Sequence, residues 1–252
     1  MTKDQKILII VATHGHEKIG LEVVEKLKRN GLQRYFACLV ANPRALRQNK
    51  EFIDLNLNRV YPGKKDSHFY EERRAFQNLR KARQYRYVID IHEASEGRDD
   101  FVIVPRTKLS QKFPIHFVEL GKVLLWPDPQ GPIAQVLENA IELEFGIKGR
   151  ERGDVIRAAA SILEQFIKRI NLKNFRGTGA RRQDVYYVYG KLMQNEYQRD
   201  IKYLQDFRKT QNSGERFYPL LTRQYLKYGI ACYKMKLLGK YDPNFFCPKK
   251  TF

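Results

Sequence analysis

An α/β fold, with a mixed, mostly parallel sheet flanked by helices and a small β-rich C-terminal domain, is predicted from three observations. Short apolar runs alternate with longer stretches of helical periodicity through the first two-thirds of the chain, the pattern of strands joined by crossover helices. Beyond Asn171 this gives way to aromatic, alternating segments such as Val185-Tyr186-Tyr187-Val188-Tyr189 and Phe217-Tyr218-Pro219-Leu220-Leu221. A length of 252 residues suits one large domain, or a domain of about 150 residues with a smaller partner.

Lys6–Ala12 reads as the first strand because an unbroken apolar run closes on the polar turn Thr13-His14-Gly15-His16-Glu17. A helix is expected from Glu17 to Arg29, a strand over Tyr35–Ala41 and a second helix from His68 to Gln84. Strands at Arg86–Ile91 and Phe101–Pro105 precede a helix expected from Leu109 to Gly121, and Ala140–Phe145 reads as a further strand. The helix from Asp154 to Ile170 starts at Gly153-Asp154 and places Val155, Ala159, Ile162, Leu163 and Phe166 at the spacing of one face. The chain thus divides into an α/β domain over 1–170 and a β-rich domain over 171–252, with no repeat or low-complexity linker at the boundary.

The net charge of +19 is unevenly spread. Residues 1–147 carry 24 basic and 19 acidic groups, and residues 148–252 carry 23 and 9. A basic surface attracts anions, so the excess fits an acidic small molecule, nucleic acid or a membrane face as well as a solvated surface. No apolar run approaches the roughly 20 residues that cross a bilayer, and the first residues lead into a strand, so a cytoplasmic protein without a membrane span is expected. Cys38, Cys232 and Cys247 are far apart, odd in number and free of any CxxC pair, which argues against a disulfide framework and fits a reducing compartment.

Chemistry gathers at strand ends. A parallel strand delivers the side chains that follow it to the carboxyl end of the sheet, where open α/β folds bind ligands. Residues three apart on such a turn face the same side, so His14 and Glu17 can reach a single cation. Tyr87-Val88-Ile89-Asp90-Ile91-His92 ends a second strand on another histidine, and two His with one Glu leave a fourth zinc position for water. Asn42-Pro43-Arg44-Ala45 and Leu57-Asn58-Arg59 lie between these two strand ends, and Glu144-Phe145-Gly146 comes after them.

This ordered set resembles the succinylglutamate desuccinylase/aspartoacylase family, relatives of the zinc carboxypeptidases. The resemblance runs from His14 to about Arg157, with a weaker echo at Phe217-Tyr218-Pro219. It implies a zinc carboxypeptidase-like fold for residues 1–170, with one Zn2+ per chain held by His14, Glu17 and His92 and supported by Asp90. Asn58 and Arg59 match the pair that grips the substrate carboxylate, a task suited to a guanidinium beside an amide. Glu144 matches the general base and acid. Residue alternation by itself leaves Glu142 as a rival; the Glu-x-Gly pattern favours Glu144. The implied activity is that of a zinc-dependent amidohydrolase cleaving the amide of an N-acyl amino acid or similar small carboxylate-bearing amide, with the C-terminal domain narrowing the entrance.

His16 falls at a family position that is not a ligand and reads as a turn residue, and His68 and His116 read as surface or packing residues. Seven residues before Asn58, where the family carries an arginine that polarises the scissile carbonyl, this sequence has Glu51. Either Lys50 or Arg47 replaces it, or zinc works alone, or the site is impaired. Ala134 stands where aspartoacylase carries an arginine for the aspartyl side chain, and Tyr225 and Tyr228 are candidates to face substrate or to pack in the core. Two other readings stand beside the first: a metallocarboxypeptidase acting on short peptides, and a non-catalytic protein binding nucleic acid or an acidic partner through its basic C-terminal part. A homo-oligomer is compatible with the sequence.

Overall fold

In the computed structural model, which describes residues 6–105, 113–127, 131–172 and 182–241, the apolar runs do become strands. The first part of the chain forms β1 (Ile7–Val11), α1 (Ile19–Arg29), β2 (Phe36–Val40), α2 (Pro43–Gln48), α3 (Tyr70–Ala82), β3 (Tyr87–Ala94), β4 (Phe101–Pro105), β5 (Lys122–Trp126), α4 (Ile133–Val136), β6 (Ala140–Gly146) and α5 (Arg152–Asn171). After it come β7 (Asp184–Met193), β8 (Thr210–Asn212), β9 (Glu215–Leu220) and β10 (Ile230–Lys240). All lie in one sheet in the order β2-β1-β3-β6-β4-β5-β7-β10-β9-β8.

Alternation along the strands sorts the side chains into two layers. Ile7, Ile9 and Val11 pack with Val23 and Leu27 of α1 and with Leu163 and Phe166 of α5. Leu8 and Ile10 face the other way, against Ala75 and Leu79 of α3. Strands buried on both faces read as continuous apolar runs, which is why β1 is legible at a glance. β3 and β6 follow the same rule until their carboxyl ends. Ile89, Ile91, Ile141, Leu143 and Phe145 stay in the first layer, and the alternate positions towards α3 become Asp90, His92, Glu142 and Glu144.

Several expectations need adjustment. The strand expected at Arg86–Ile91 runs on to Ala94 and so carries His92 within it. Asn42-Pro43-Arg44-Ala45, for which no helix is expected from the sequence, starts α2: Asn42 Oδ1 accepts the Ala45 N–H at 3.2 Å and Pro43 occupies the first turn. The helix expected from Leu109 to Gly121 is absent from its described part, where only the 3-10 turn Ile115–Phe117 occurs; residues 109–112 lie outside the described residues. Pro114 has no N–H and keeps Phe113 out of helical geometry. Phe113 instead stacks on Phe166, with centroids 5.2 Å apart.

The aromatic segments after residue 182 are strands, and the first of them pairs in parallel with β5, so the strand-rich C-terminal region extends the sheet. Tyr186, Val188, Leu220 and Met235 bury a further apolar cluster with Leu124 and Phe101. Cys38 and Cys232 are free thiols, and Cys247 lies outside the described residues. Among the described residues no helix is long and apolar enough to cross a membrane.

Candidate metal-centred site

The turn after β1 owes its shape to its glycine. A Cβ on Gly15 would lie 2.1 Å from the carbonyl carbon of Ala45, so only glycine lets α2 pack against the turn. The turn brings His14 and Glu17 beside His92. Nδ1 of His14 lies 2.6 Å from Glu17 Oε1, and Nδ1 of His92 lies 3.0 Å from Oε2 of the same carboxylate. The ligand atoms of the three residues lie within 4.8 Å of one another.

The surroundings fit a cation-binding role. Asn56 Oδ1 is 3.2 Å from Nε2 of His14 and can accept its N–H, so that Nδ1, which when protonated donates to Glu17, is the nitrogen left for a cation. His92 Nε2 lies 3.3 Å from Asp90 Oδ2, near enough for charge attraction although not aligned for a hydrogen bond. Asp90 is itself held by the Thr13 hydroxyl, at 2.9 and 3.0 Å from its two oxygens. Burial by itself would raise the Glu17 carboxyl, but the two imidazoles outweigh it and hold the group well below the usual carboxylate range. Burial likewise opposes charge on the imidazoles, yet Glu17 raises the pKa of His14, and Asp90 with Glu17 raises that of His92. Two imidazoles and a carboxylate make a donor set suited to a borderline divalent ion such as zinc.

Strand register places the glutamates. Asp90 lies opposite Glu142 and His92 opposite Glu144, so both glutamates face the cleft, as alternation requires. Burial pushes the Glu144 carboxyl up to about 7, opposed by His92 and reinforced by Glu17 and Glu142. Glu142 is buried more deeply, its pKa is raised by that burial, and its Oε1 has no hydrogen-bond partner.

Asn58 and Arg59 sit on a 3-10 turn, Leu57–Arg59, started by Asn56, whose Oδ1 accepts the Asn58 N–H at 2.9 Å. The approach to that turn is fixed by Glu71, a buried residue of α3. Its carboxylate accepts the N–H groups of Ile53, Asp54 and Leu55 at 2.7, 3.0 and 3.1 Å. Gly131, at φ +116°, lets a second chain segment pass so close that a Cβ would lie 2.5 Å from Arg59 Cα. Asn58 is buried with its Oδ1 unpartnered, whereas Arg59 is exposed and uses Nη1 on the Asn58 carbonyl at 2.8 Å.

His14, Glu17, Asn56, Asn58, Arg59, Glu142 and Glu144 line one cleft of about 300 Å3, and the supporting Thr13, Glu71 and Asp90 and the buried His92 do not. Its rim carries Glu51, which accepts from Asn56 Nδ2 at 3.3 Å and pairs with Lys227 Nζ at 3.2 Å. Neither Lys50 nor Arg47 lines the cleft; the cation at Glu51 comes from the C-terminal region. Gln224 joins the same region to the end of β3, its Oε1 accepting from Ser95 Oγ at 3.1 Å and Glu96 N at 3.0 Å. Tyr225 is half-buried and lines the cleft, while Tyr228 is 56% exposed and does not. Ala134 is buried in the apolar layer near α3. His16 lines the cleft at 6.1 Å from the His14 ring but stands outside the donor cluster, and His68 and His116 stand apart. Asn56, Glu71, Gln224 and Lys227 carry no motif; the Asn-rich string Asn56-Leu57-Asn58 is the one local signal for any of them.

Residues 3–126 match the family model described as the succinylglutamate desuccinylase/aspartoacylase catalytic domain. The match covers just under half of the chain, and over that stretch the chain is similar to the family. A probable aspartoacylase of Acaryochloris marina (strain MBIC 11017) is 28% identical over 104 residues, and the match spans 36% of this chain and 35% of that relative's length. Among solved structures, murine aminoacylase 3 superposes with a TM-score of 0.69 at 18% identity, covering 94% of this chain and 97% of that one. Succinylglutamate desuccinylase from Chromobacterium violaceum gives 0.67 at 18% identity, covering 93% and 85%. These structural likenesses bear out the expected fold, a mixed and mostly parallel sheet flanked by helices with a strand-rich C-terminal region.

Proposed function

We propose that this protein is a zinc-dependent amidohydrolase that cleaves the amide of an N-acyl amino acid or similar small carboxylate-bearing amide. The observation that carries the reading is the convergence of His14, Glu17 and His92 on one point beside a glutamate raised to about 7 and a guanidinium with no ion-pair partner among the described residues, with all but the buried His92 lining one cleft. A zinc ion held by the two imidazoles and Glu17 would polarise the amide carbonyl and make water more acidic. Glu144, ionised above about pH 7, takes the proton of the attacking water on its carboxylate and returns it to the leaving nitrogen. Asn58 and Arg59 hold the substrate carboxylate, the guanidinium offering two parallel N–H groups. Asp90 and Asn56 fix the orientation of the two imidazoles.

Support also comes from the family match over residues 3–126 and from the names of the relatives, an aspartoacylase, an aminoacylase and a desuccinylase. The test is elemental analysis of wild type and Glu17→Ala, paired with hydrolysis assays on N-acyl amino acids and short peptides. About one zinc per chain, lost in the variant, with turnover of the acyl amino acids is expected. Release of amino acids from peptides alone would make the protein a carboxypeptidase, and zinc-free wild-type protein would remove the basis of the proposal.

A further inference from the structure

Five carboxylates face the cleft, Glu17, Glu51, Glu93, Glu142 and Glu144, against two side-chain cations, Arg59 and Lys227. Lys227 is already paired with Glu51 at 3.2 Å. Arg59 forms no ion pair among the described residues, and its hydrogen bond to the Asn58 carbonyl leaves other N–H groups of the guanidinium available. With the proposed zinc engaged by the scissile amide, these side chains can meet one substrate carboxylate and no more. A second would be set among Glu51, Glu142 and Glu144 with no free cation to balance it, which is costly in a partly desolvated site.

One part of the wall is apolar. Ile103 lies opposite Glu142 across the β4–β6 pair, and Trp126, Leu221 and Tyr225 complete the surface. Trp126 and Tyr225 both meet the ring of Tyr233 edge-on, with centroids 4.6 and 5.8 Å away, so the two aromatic groups share one support. Gln135 Nε2 donates to the Trp126 carbonyl at 3.1 Å and anchors the end of the strand beside them.

We infer that the cleft selects acyl amino acids with a single carboxylate and a neutral, apolar or aromatic side chain, the carboxylate on Arg59 and Asn58 and the side chain on the wall formed by Ile103, Trp126, Leu221 and Tyr225. This rests on the amide-hydrolase reading above. Acidic side chains are rejected for want of a second free cation, and basic ones by desolvation against the aromatic wall.

The experiment compares kcat/KM for N-acetylphenylalanine, N-acetylleucine, N-acetylalanine, N-acetylaspartate and N-acetyllysine on the zinc-loaded full chain. N-acetylphenylalanine and N-acetylleucine are expected to exceed N-acetylaspartate by roughly 100-fold or more, because a site with no partner for a buried polar group discriminates strongly. In Trp126→Ala, KM for N-acetylphenylalanine is expected to rise roughly 10- to 200-fold, the range of a hydrophobic pocket contact, with N-acetylalanine nearly unchanged. Equal or better turnover of the aspartate or lysine derivative would overturn this specificity and leave the hydrolase reading intact. No turnover of any substrate would overturn both, and equal losses on both substrates in Trp126→Ala would remove that residue from the wall. The wild-type series decides the matter even if the variant fails to fold.

Discussion

At the carboxyl ends of β3 and β6 the functional side chains are placed by register, whereas along residues 51–59 and 221–228 they are placed by side chains that reach for backbone or for one another. Asp90, His92, Glu142 and Glu144 cannot move without shifting a strand that is hydrogen-bonded on both sides. Asn58 and Arg59 depend on the Glu71 carboxylate, and Lys227 depends on Glu51. The first region is fixed by many cooperative contacts and the second by a few removable ones, so mutations should separate them: chemistry lost at the strand ends, grip and rim altered elsewhere.

The largest effect is expected at the strand end. Glu144→Gln should lower kcat by about 10²- to 10⁴-fold, the usual contribution of a general acid–base group, while zinc content stays at the wild-type level. With burial holding the wild-type carboxyl at about 7, kcat/KM should fall on the acid side, with a midpoint at or below that value because a bound cation favours the ionised form. Loss of zinc in this variant would merge the proposed proton-transfer and ligand roles.

Next comes the support of the grip. Glu71→Ala removes the acceptor of three backbone N–H groups and should cost about 3 kcal/mol, measured by urea unfolding. KM should rise with the metal still bound, since Glu71 touches none of its proposed ligands. A variant that loses zinc as readily as it loses substrate affinity would show the two regions to be one unit.

Chelation sharpens the contrast through pH. Glu17, held below its ordinary 4.5, contributes stability that is present above that pH and lost as pH falls through its depressed folded value. His14 and His92, raised above 6.5, contribute stability fully present below pH 6.5 and lost as pH rises through their folded values. Glu144, raised from 4.5 to about 7, subtracts stability as pH climbs between those values. The Tm of zinc-free protein should therefore decline as pH rises above about 6.5, and Glu17→Gln should flatten the decline. A level wild-type profile would mean that the cluster does not titrate as a unit. The smallest effect is expected at the rim: Lys227→Met should change stability by less than about 1 kcal/mol, since its side chain is 61% exposed, as thermal melts would report.

Much of the strand-end chemistry is legible in the amino-acid sequence, because an apolar run that stops on His or Glu is a local signal. β1, β2, β4 and β6 fall close to the expected spans because each is a short apolar run bounded by polar or turn residues. The rim is not legible in this way. Glu71 lies between 16 and 18 residues from the backbone groups it binds, and Lys227 is 176 residues from Glu51, distances at which no periodicity speaks. Reading 109–121 as a helix weighs apolar spacing above Pro114, and β5 is hidden within that error and the residues just after it. Glu142 and Glu144 are ambiguous in sequence for a physical reason that the structure retains: two residues apart on one strand, both face the cleft.

The parallel pairing of β7 with β5 has a consequence for attempts to isolate the first 171 residues. Cutting there would strip the partner from Lys122–Trp126 and leave a row of unmatched N–H and C=O groups, with Leu124 and Phe101 uncovered beneath it. Such a fragment would present a template for edge-to-edge association, so its self-assembly would report on the missing strands and not on any weakness in the part retained.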